Sequence, residues 1–474
     1  MKRIFAIALA FALLCSLCLT VAAEPHVAEN GLKCDHYKVN GVVSGVNAQV
    51  NVLEFNPADG LIPFAYTGNS GSVCLAKDHV ADAQAKGYEV VGAINGSFFD
   101  MSSGAPCGTL ISDGKLVFTH NERGESIAAF DKDGKLSVVT SKIIMGLSLN
   151  GQSYDGGIGL VNKLFGATSM SKRDITGHFQ YYDIDAGDLA DTSVTGIEII
   201  CEITDGGQLA VGKTLKATVT EIKTDSTYGA TKVTDETQFV LFVKTDGLYF
   251  KRASVMKAGD KIEITPKESI PAAESVMKNA VSAISSAYYL VKDGVDLTDT
   301  STTIIHDTSL ARAWTAFGVK EDGSYVYWVS EEYGLTLKDV ADEMVKLGCK
   351  NVIRLDGGGS TSMYVDGEDF VMNSTRQVCD VLLVVKKDSI KYEEPTTAPE
   401  SSAPVESSEA ESSEAESSSV SSVESSEEVS EESSKASASS DETEGGNGGM
   451  VWIIIGIVLI IGGLTLYRIG AKKK

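Results

Sequence analysis

Apolar positions in this chain fall mostly in short β-branched runs, and two of those runs share one pattern. Val90-Val91-Gly92-Ala93-Ile94 leads into Asn95-Gly96-Ser97-Phe98-Phe99-Asp100. Val352-Ile353-Arg354-Leu355 leads into Asp356-Gly357-Gly358-Gly359-Ser360-Thr361-Ser362, and Met363-Tyr364-Val365 follows. Short, β-branched runs bounded by turn residues predict strands. A helical pattern precedes each run and stops at a glycine. Ser72 is placed to cap a helix from about Cys74 to Lys86, ended by Gly87. Thr336 is placed to cap a second, whose apolar face is Leu337, Val340, Ala341, Met344 and Leu347, ended by Gly348. Two helix–Gly–strand units with the same ending suggest parallel strands in one sheet. Their loops would then share one edge, where open sheets of this kind place ligands.

Between 191 and 267 the texture changes to alternating apolar and polar residues, separated by turns such as Asp205-Gly206-Gly207. This predicts a small antiparallel β subdomain inserted in the larger fold. The expected class is therefore α+β: a mixed β-sheet core with flanking helices and an inserted β subdomain, spanning 30–388.

The ends of the chain differ from this body. Residues 1–23 read as a secretory signal: Lys2 and Arg3, an apolar core, and Val21-Ala22-Ala23 as a small-residue cleavage site. Residues 392–449 are Ser- and Glu-rich, with no means of burying a core, which predicts a disordered stalk. Residues 450–467 form an apolar run long enough to span a bilayer, and the basic tail 468–474 marks the cytoplasmic side. The expectation is a single-pass cell-membrane protein with its domain outside.

The formal charge of −24 belongs mostly to the stalk. Sixteen acidic residues against one Lys between 393 and 449 give −15 there. The body is only mildly acidic and shows no basic face, which argues against nucleic acid as a partner. Six cysteines follow the signal: Cys34, Cys74, Cys107, Cys201, Cys349 and Cys379. None forms a C-x-x-C pair, so neither a zinc nor a redox site is indicated, and disulfides are permitted but not required. His79 sits on the first helix and reads as structural. His120, His178 and His306 are isolated and lack a partner at metal spacing.

Asp356 at a strand end, three glycines and three hydroxyl residues form a nest-like sequence. Backbone N–H groups in such a turn bind anions. No Lys follows the glycines, so this is not a Walker A loop. No Gly-x-Ser-x-Gly elbow is present, which disfavours a serine hydrolase.

At these residues the chain resembles the phosphodiester glycosidase family. Asn95-Gly96-Ser97-Phe98-Phe99 and Leu355-Asp356-Gly357-Gly358-Gly359-Ser360-Thr361 resemble its two signature segments. Pro106 to Gly114, Leu290 to Gly294, Thr315 to Val319 and Ser374 to Val378 resemble further segments in the family's order. The chain departs from the pattern at Ser285-Ser286, where the family has two glycines. It departs again at Trp314, where the family has Arg; here Arg312 lies two residues earlier.

The resemblance implies hydrolysis of sugar-1-phosphodiesters on glycans or glycopolymers. That reaction needs an anion cradle, and carboxylates near the anomeric carbon. Asp356 and Asp100 are the candidate catalytic carboxylates. Asn95, Gly96, Ser97, Gly357, Gly358, Gly359, Ser360, Thr361, Arg376 and Arg312 are the candidate substrate and phosphate contacts. No cofactor is required. Two roles for Asp356 remain open: a general acid of raised pKa, or a ligand, with Asp100 and Asn95, of a divalent cation. The metal-free role is preferred. The alternative from another class is a non-catalytic, stalked module that binds surface glycan or phosphopolymer.

Overall fold

A computed structural model describes residues 26–27, 32–41, 47–68, 73–101, 104–120, 124–162, 178–285, 287–299, 310–331, 334–367, 372 and 374–392. All of them fall in the first of two units, Met1–Thr396 and Thr397–Lys474. The expected signal, the expected stalk beyond Tyr392, the apolar run and the basic tail lie outside the described residues, as do Ser72, Ser286 and His306. Among the described residues, no helix is long and apolar enough to cross a membrane.

The fold is mostly β, not α+β with a mixed core. The described residues form 24 strands against four α-helices. One sheet of eight strands is antiparallel throughout and contains Asn47–Phe55, Tyr325–Ser330, Thr315–Lys320 and Cys349–Arg354 as neighbours, with Tyr288–Lys292 beyond. A second, four-stranded sheet runs Met363–Val365, Val90–Asn95, Val381–Lys386, Leu61–Tyr66, again antiparallel. The expected single sheet for the two motif strands is therefore corrected: Val90–Asn95 and Cys349–Arg354 belong to different sheets.

The two sheets share a core of side chains including Leu53, Phe55, Val91, Ile94, Phe317, Tyr327, Ile353, Leu355, Leu382 and Val384. On the far face of the eight-stranded sheet, helix Leu337–Lys346 packs Leu337, Val340 and Met344 on Val50, Trp328 and Val352. On the far face of the four-stranded sheet, helix Ala76–Ala85 packs Val80 and Ala83 on Phe64, Val381 and Leu383. Alternate residues of Val381–Lys386 thus face two different apolar layers. A strand buried on both faces reads as a continuous apolar run whether its neighbours are parallel or antiparallel. That is the physical reason the pattern suggested parallel strands.

The second helix is capped as expected. Thr336 Oγ1 accepts from Asp339 N, and Asp339 returns the bond to Thr336 N at 2.8 Å. Gly348 ends it at φ +94°. The first helix starts at Ala76 after Leu75, with no side-chain cap.

The alternating stretch forms strands Asp191–Asp205, Leu215–Tyr228, Gln238–Lys244 and Lys261–Glu268, but they do not stand alone. With Ile143–Leu149, Gln152–Val161 and Phe179–Tyr182 they close a seven-stranded barrel, since Ile143–Leu149 pairs with both Lys261–Glu268 and Gln152–Val161. Closure removes the free sheet edges that a four-stranded insertion would expose. The barrel interior is filled by Ile158, Phe179, Ile199, Phe239, Leu241, Ile264 and their neighbours. Its sheet continues through Lys115–His120, Leu110–Ser112, Ser282–Ser285, Glu125–Phe130 and Leu136–Ser141.

Candidate functional site

The glycine-rich loop is the crossing between two sheets. It leaves the eight-stranded sheet at Arg354 and enters the four-stranded one at Met363, which pairs with Ile94. Both motif loops therefore meet although their strands lie in separate sheets. Asp356 N donates to Gly96 O at 3.0 Å, and Asn95 Nδ2 donates to Asp356 O at 2.7 Å.

Asn95 is fully buried and acts as a pin. Its Oδ1 accepts from Thr315 Oγ1 at 2.6 Å and from Ser362 N at 3.1 Å. Gly96 is required by close approach: a Cβ there would lie 2.1 Å from Asp380 Oδ1. Ser97 N donates to the same Asp380 oxygen at 2.6 Å, and the Ser97 hydroxyl meets that of Ser285 at 3.1 Å. Asp100 lies on the turn that follows, closed by its N–H to Ala105 O and by Gly104 N to its own carbonyl. The structure thus gathers Asn95, Gly96 and Ser97 around Asp356, and sets Asp100 on the next turn.

The loop's N–H groups serve the loop's own geometry. Gly357 N donates to Asp356 Oδ1 at 2.9 Å, Gly358 N to Ala313 O at 2.7 Å, and Ser362 N to Asn95. Gly358 takes φ +65°, and a Cβ on Gly357 would meet Ala313 O at 2.8 Å. The hydroxyls of Thr361 and Ser362 are buried with no hydrogen-bond partner among the described residues. Such groups are uncommon enough to require an explanation.

The charges around Asp356 define the site. Burial pushes its carboxyl above the usual range, while Ser360, the Gly357 N–H, and the charges of Arg376 and Arg354 pull it back. Arg376 is exposed, and its guanidinium lies against Gly359, where a Cβ would meet its central carbon at 2.7 Å. Ser374 Oγ, which donates to Gly359 O and accepts from Arg376 N at 3.0 Å, holds that arm. Arg312 is close enough to Arg354 for their charges to repel. Its backbone is fixed to Leu335 at 2.9 Å.

Two residues that the motif reading passed over complete the site. Arg354 is 1% exposed, and its Nε and Nη1 have no hydrogen-bond partner among the described residues. Its guanidinium lies 4.7 Å from the Phe98 ring centre and 5.1 Å from that of Trp314. Burial lowers its pKa to about 10, opposed by the charge of Asp356. Trp314 therefore serves as a ring wall for Arg354, its Nε1 donating to Leu335 O at 2.6 Å. Asp380 is fully buried, and its Oδ2 has no hydrogen-bond partner among the described residues. Burial pushes its carboxyl up to about 6, the charge of Asp356 adds to the rise, and bonds from Ser97 oppose it. The signals were an Arg inside an apolar strand and an Asp directly before one.

This donor set does not suit a divalent cation. Asn95 Oδ1 is already shared by two donors, and Arg354 and Arg376 already place positive charge at Asp356. Among the described residues no three His, Cys, Asp or Glu side chains gather at metal-binding distance. Guanidinium groups gathered at one site attract an anion instead. His79 is structural as expected: Gly68 N donates to its Nδ1 at 2.9 Å and Val378 O accepts from its Nε2 at 3.0 Å. Cys74, Cys201, Cys349 and Cys379 are free thiols.

The fold is shared with two solved structures. A hypothetical protein from Synechocystis is 16% identical with a TM-score of 0.54, over 75% of this chain and 62% of that one. The chain thus spans less than two thirds of that protein. A putative exported protein from Burkholderia pseudomallei is 17% identical with a TM-score of 0.52, over 73% of this chain and 75% of that one. The catalytic domain of zebrafish N-acetylglucosamine-1-phosphodiester α-N-acetylglucosaminidase is 15% identical with a TM-score of 0.37, over 77% and 86%. No curated protein matches. The phosphodiester glycosidase family profile matches residues 201–385, which include Arg312, Arg354, the Asp356 loop, Arg376 and Asp380 but not the Asn95 segment. That family is the one the chain's motif segments resemble, and the profile match makes residues 201–385 similar to it.

Proposed function

We propose that the chain hydrolyses sugar-1-phosphodiesters of surface glycans or glycopolymers, with Asp356 as the acting carboxylate. The observation that carries this reading is Arg354: a desolvated guanidinium with two unpartnered N–H-bearing nitrogens beside a carboxylate of raised pKa. A buried, unpaired charge is costly, and an anionic ligand offsets that cost. A phosphodiester carries one negative charge. When the bond between the anomeric carbon and the phosphate oxygen breaks, the electron pair goes to that oxygen and the phosphate gains a second charge. Arg354, with Arg376 and Arg312 nearby, then stabilises the transition state more than the ground state. The leaving phosphate needs little help from an acid. Asp356 takes the proton of the attacking water as its oxygen bonds to the anomeric carbon. Asp380 is a positioning residue, holding Ser97 and the Gly96 approach on which Asp356 rests.

The same reading places the domain outside the cell membrane. The run 450–467 would hold it there behind the 392–449 tract. Removing 450–474 should then release the protein from sedimented membranes.

The test of the chemistry is release of free sugar from a panel of methyl sugar-1-phosphodiesters. Asp356→Asn should lower kcat by about 10²–10⁴-fold, the usual worth of a positioned acid or base, while the anionic substrate still binds. Normal turnover by Asp356→Asn would overturn the assignment. A folded wild-type protein that releases no sugar from any diester would favour the binding-module alternative.

A further inference from the structure

We propose that the barrel end formed by residues 245–260 rests on an anionic membrane surface, and so sets how the domain is held above the bilayer. This connection joins Gln238–Lys244 to Lys261–Glu268 and carries the one-turn helix Phe250–Ala253. Its inner side is already filled. Ala253 is fully buried, Tyr249, Phe250 and Met256 pack against the barrel interior, and the Tyr249 ring stacks on that of Phe179 at 5.6 Å.

Its outer side is not covered. Leu248 is 69% exposed and Val255 71%, one on each flank of the helix. At about 1.5 Å of rise per residue they stand roughly 10 Å apart. Backbone bonds hold them there: Ala253 N donates to Tyr249 O at 3.0 Å, Met256 N to Ala253 O at 3.1 Å and Gly259 N to Val219 O at 2.8 Å.

The charge beside this pair names the partner. Lys251, Arg252 and Lys257 are exposed around it. Arg252 Nη2 donates to the neutral Gln152 at 2.7 Å, and Lys251 and Lys257 make no ion pair among the described residues. The two carboxylates of the connection are occupied: Asp246 pairs with Lys244 at 2.9 Å, and Asp260 accepts from Lys257 N at 2.9 Å. Apolar tips interleaved with unpaired cations suit a bilayer interface. The tips enter the acyl boundary while the cations meet lipid phosphates. A protein partner fits less well, since a stable interface buries about 800 Å² per side and is depleted of lysine at its centre. Two side chains give weak contact. Tethering through 392–449 raises the effective concentration to about the millimolar range, where weak contact suffices. In this respect the inference rests on the anchor proposed at 450–467.

The test is amide hydrogen exchange of the full chain with vesicles of equal POPG and POPC, against vesicles of POPC alone. Flotation with the POPC vesicles reads the anchor separately. With POPG, exchange over 245–257 should slow by about threefold or more, and about 0.5 M NaCl should reverse the change. Leu248→Ser combined with Val255→Ser should abolish the slowing. Exchange in the rest of the barrel should be unchanged, because neither side chain is part of its core. The proposal is overturned if exchange over 245–257 is the same with both vesicles, whether or not the chain floats. It is also overturned if the slowing survives in the double variant, or if it follows protein density on the vesicle, as contact between copies of the chain would.

Discussion

Arg354 shows how one residue trades stability for function. A buried guanidinium with two unpartnered nitrogens costs stability that the charge of Asp356 offsets only in part, so Arg354→Met, similar in length and apolar, should raise the melting temperature. The same change should raise KM for a phosphodiester at least about tenfold, since a charge-assisted hydrogen bond to the substrate contributes roughly 1.5–3 kcal/mol. A fall in melting temperature with unchanged KM would show instead that the cation is internally compensated. Gly359 gives a second contrast at this scale. The nearest atoms to a Cβ there are those of the Arg376 guanidinium, the far end of a flexible side chain, so Gly359→Ala should displace Arg376 and weaken substrate binding with little loss of stability. At Gly96 the Cβ would meet the buried Asp380 carboxylate. Gly96→Ala should cost about 3 kcal/mol, the upper end of overpacking, read by denaturant unfolding. The glycines and Asp356 were legible in the sequence because their backbone demands are local. Arg354 and Asp380 were not, because each sits against an apolar run and only packing reveals what surrounds it.

Among the elements, the helix Leu337–Lys346 was legible almost to the residue. Its cap, its apolar stripe and its terminating glycine all act within a few positions of the chain. Thr336→Ala removes a bond to Asp339 N and should lower stability by about 1 kcal/mol, with kcat unchanged. The glycine-rich loop is different. Its glycines signalled a site, but its N–H groups serve Asp356, Ala313 and Asn95, and its course is a crossing between sheets. Gly358→Val, forced to φ +65°, should distort that crossing and move Asp356, with loss of activity exceeding the loss of stability.

At the scale of the whole molecule, Asp380 couples the site to the stability of the fold. Its carboxyl is raised to about 6, above the ordinary Asp value of about 3.9. Between those values the folded protein keeps a proton that the unfolded chain has released. Stability therefore falls as pH rises through this window, by at most roughly 3 kcal/mol, and the full cost stands above it. Asp356, also raised, has the same sign. The melting temperature should rise as pH is lowered from 7 to about 5, and Asp380→Asn should flatten that slope. Equal slopes in the two proteins would remove Asp380 as its source.

What the sequence determined by itself was local: strand-forming runs, helix caps and stops, turns, and a motif whose glycines and acid resembled one family. Those features depend on propensity and on hydrogen bonds between near neighbours, so short windows carry them. What only the tertiary structure decided was which strands pair and what lies above each face. An apolar run such as Val381–Lys386 is compatible with either strand direction once both of its faces are covered. The alternating strands of 191–267 could not reveal that Lys261–Glu268 pairs with Ile143–Leu149, because that pairing joins residues more than 100 positions apart. The placement of Arg354 between Phe98 and Trp314, and of Asp380 beneath Gly96, has the same origin. Burial and charge depend on neighbours that the order of residues does not name.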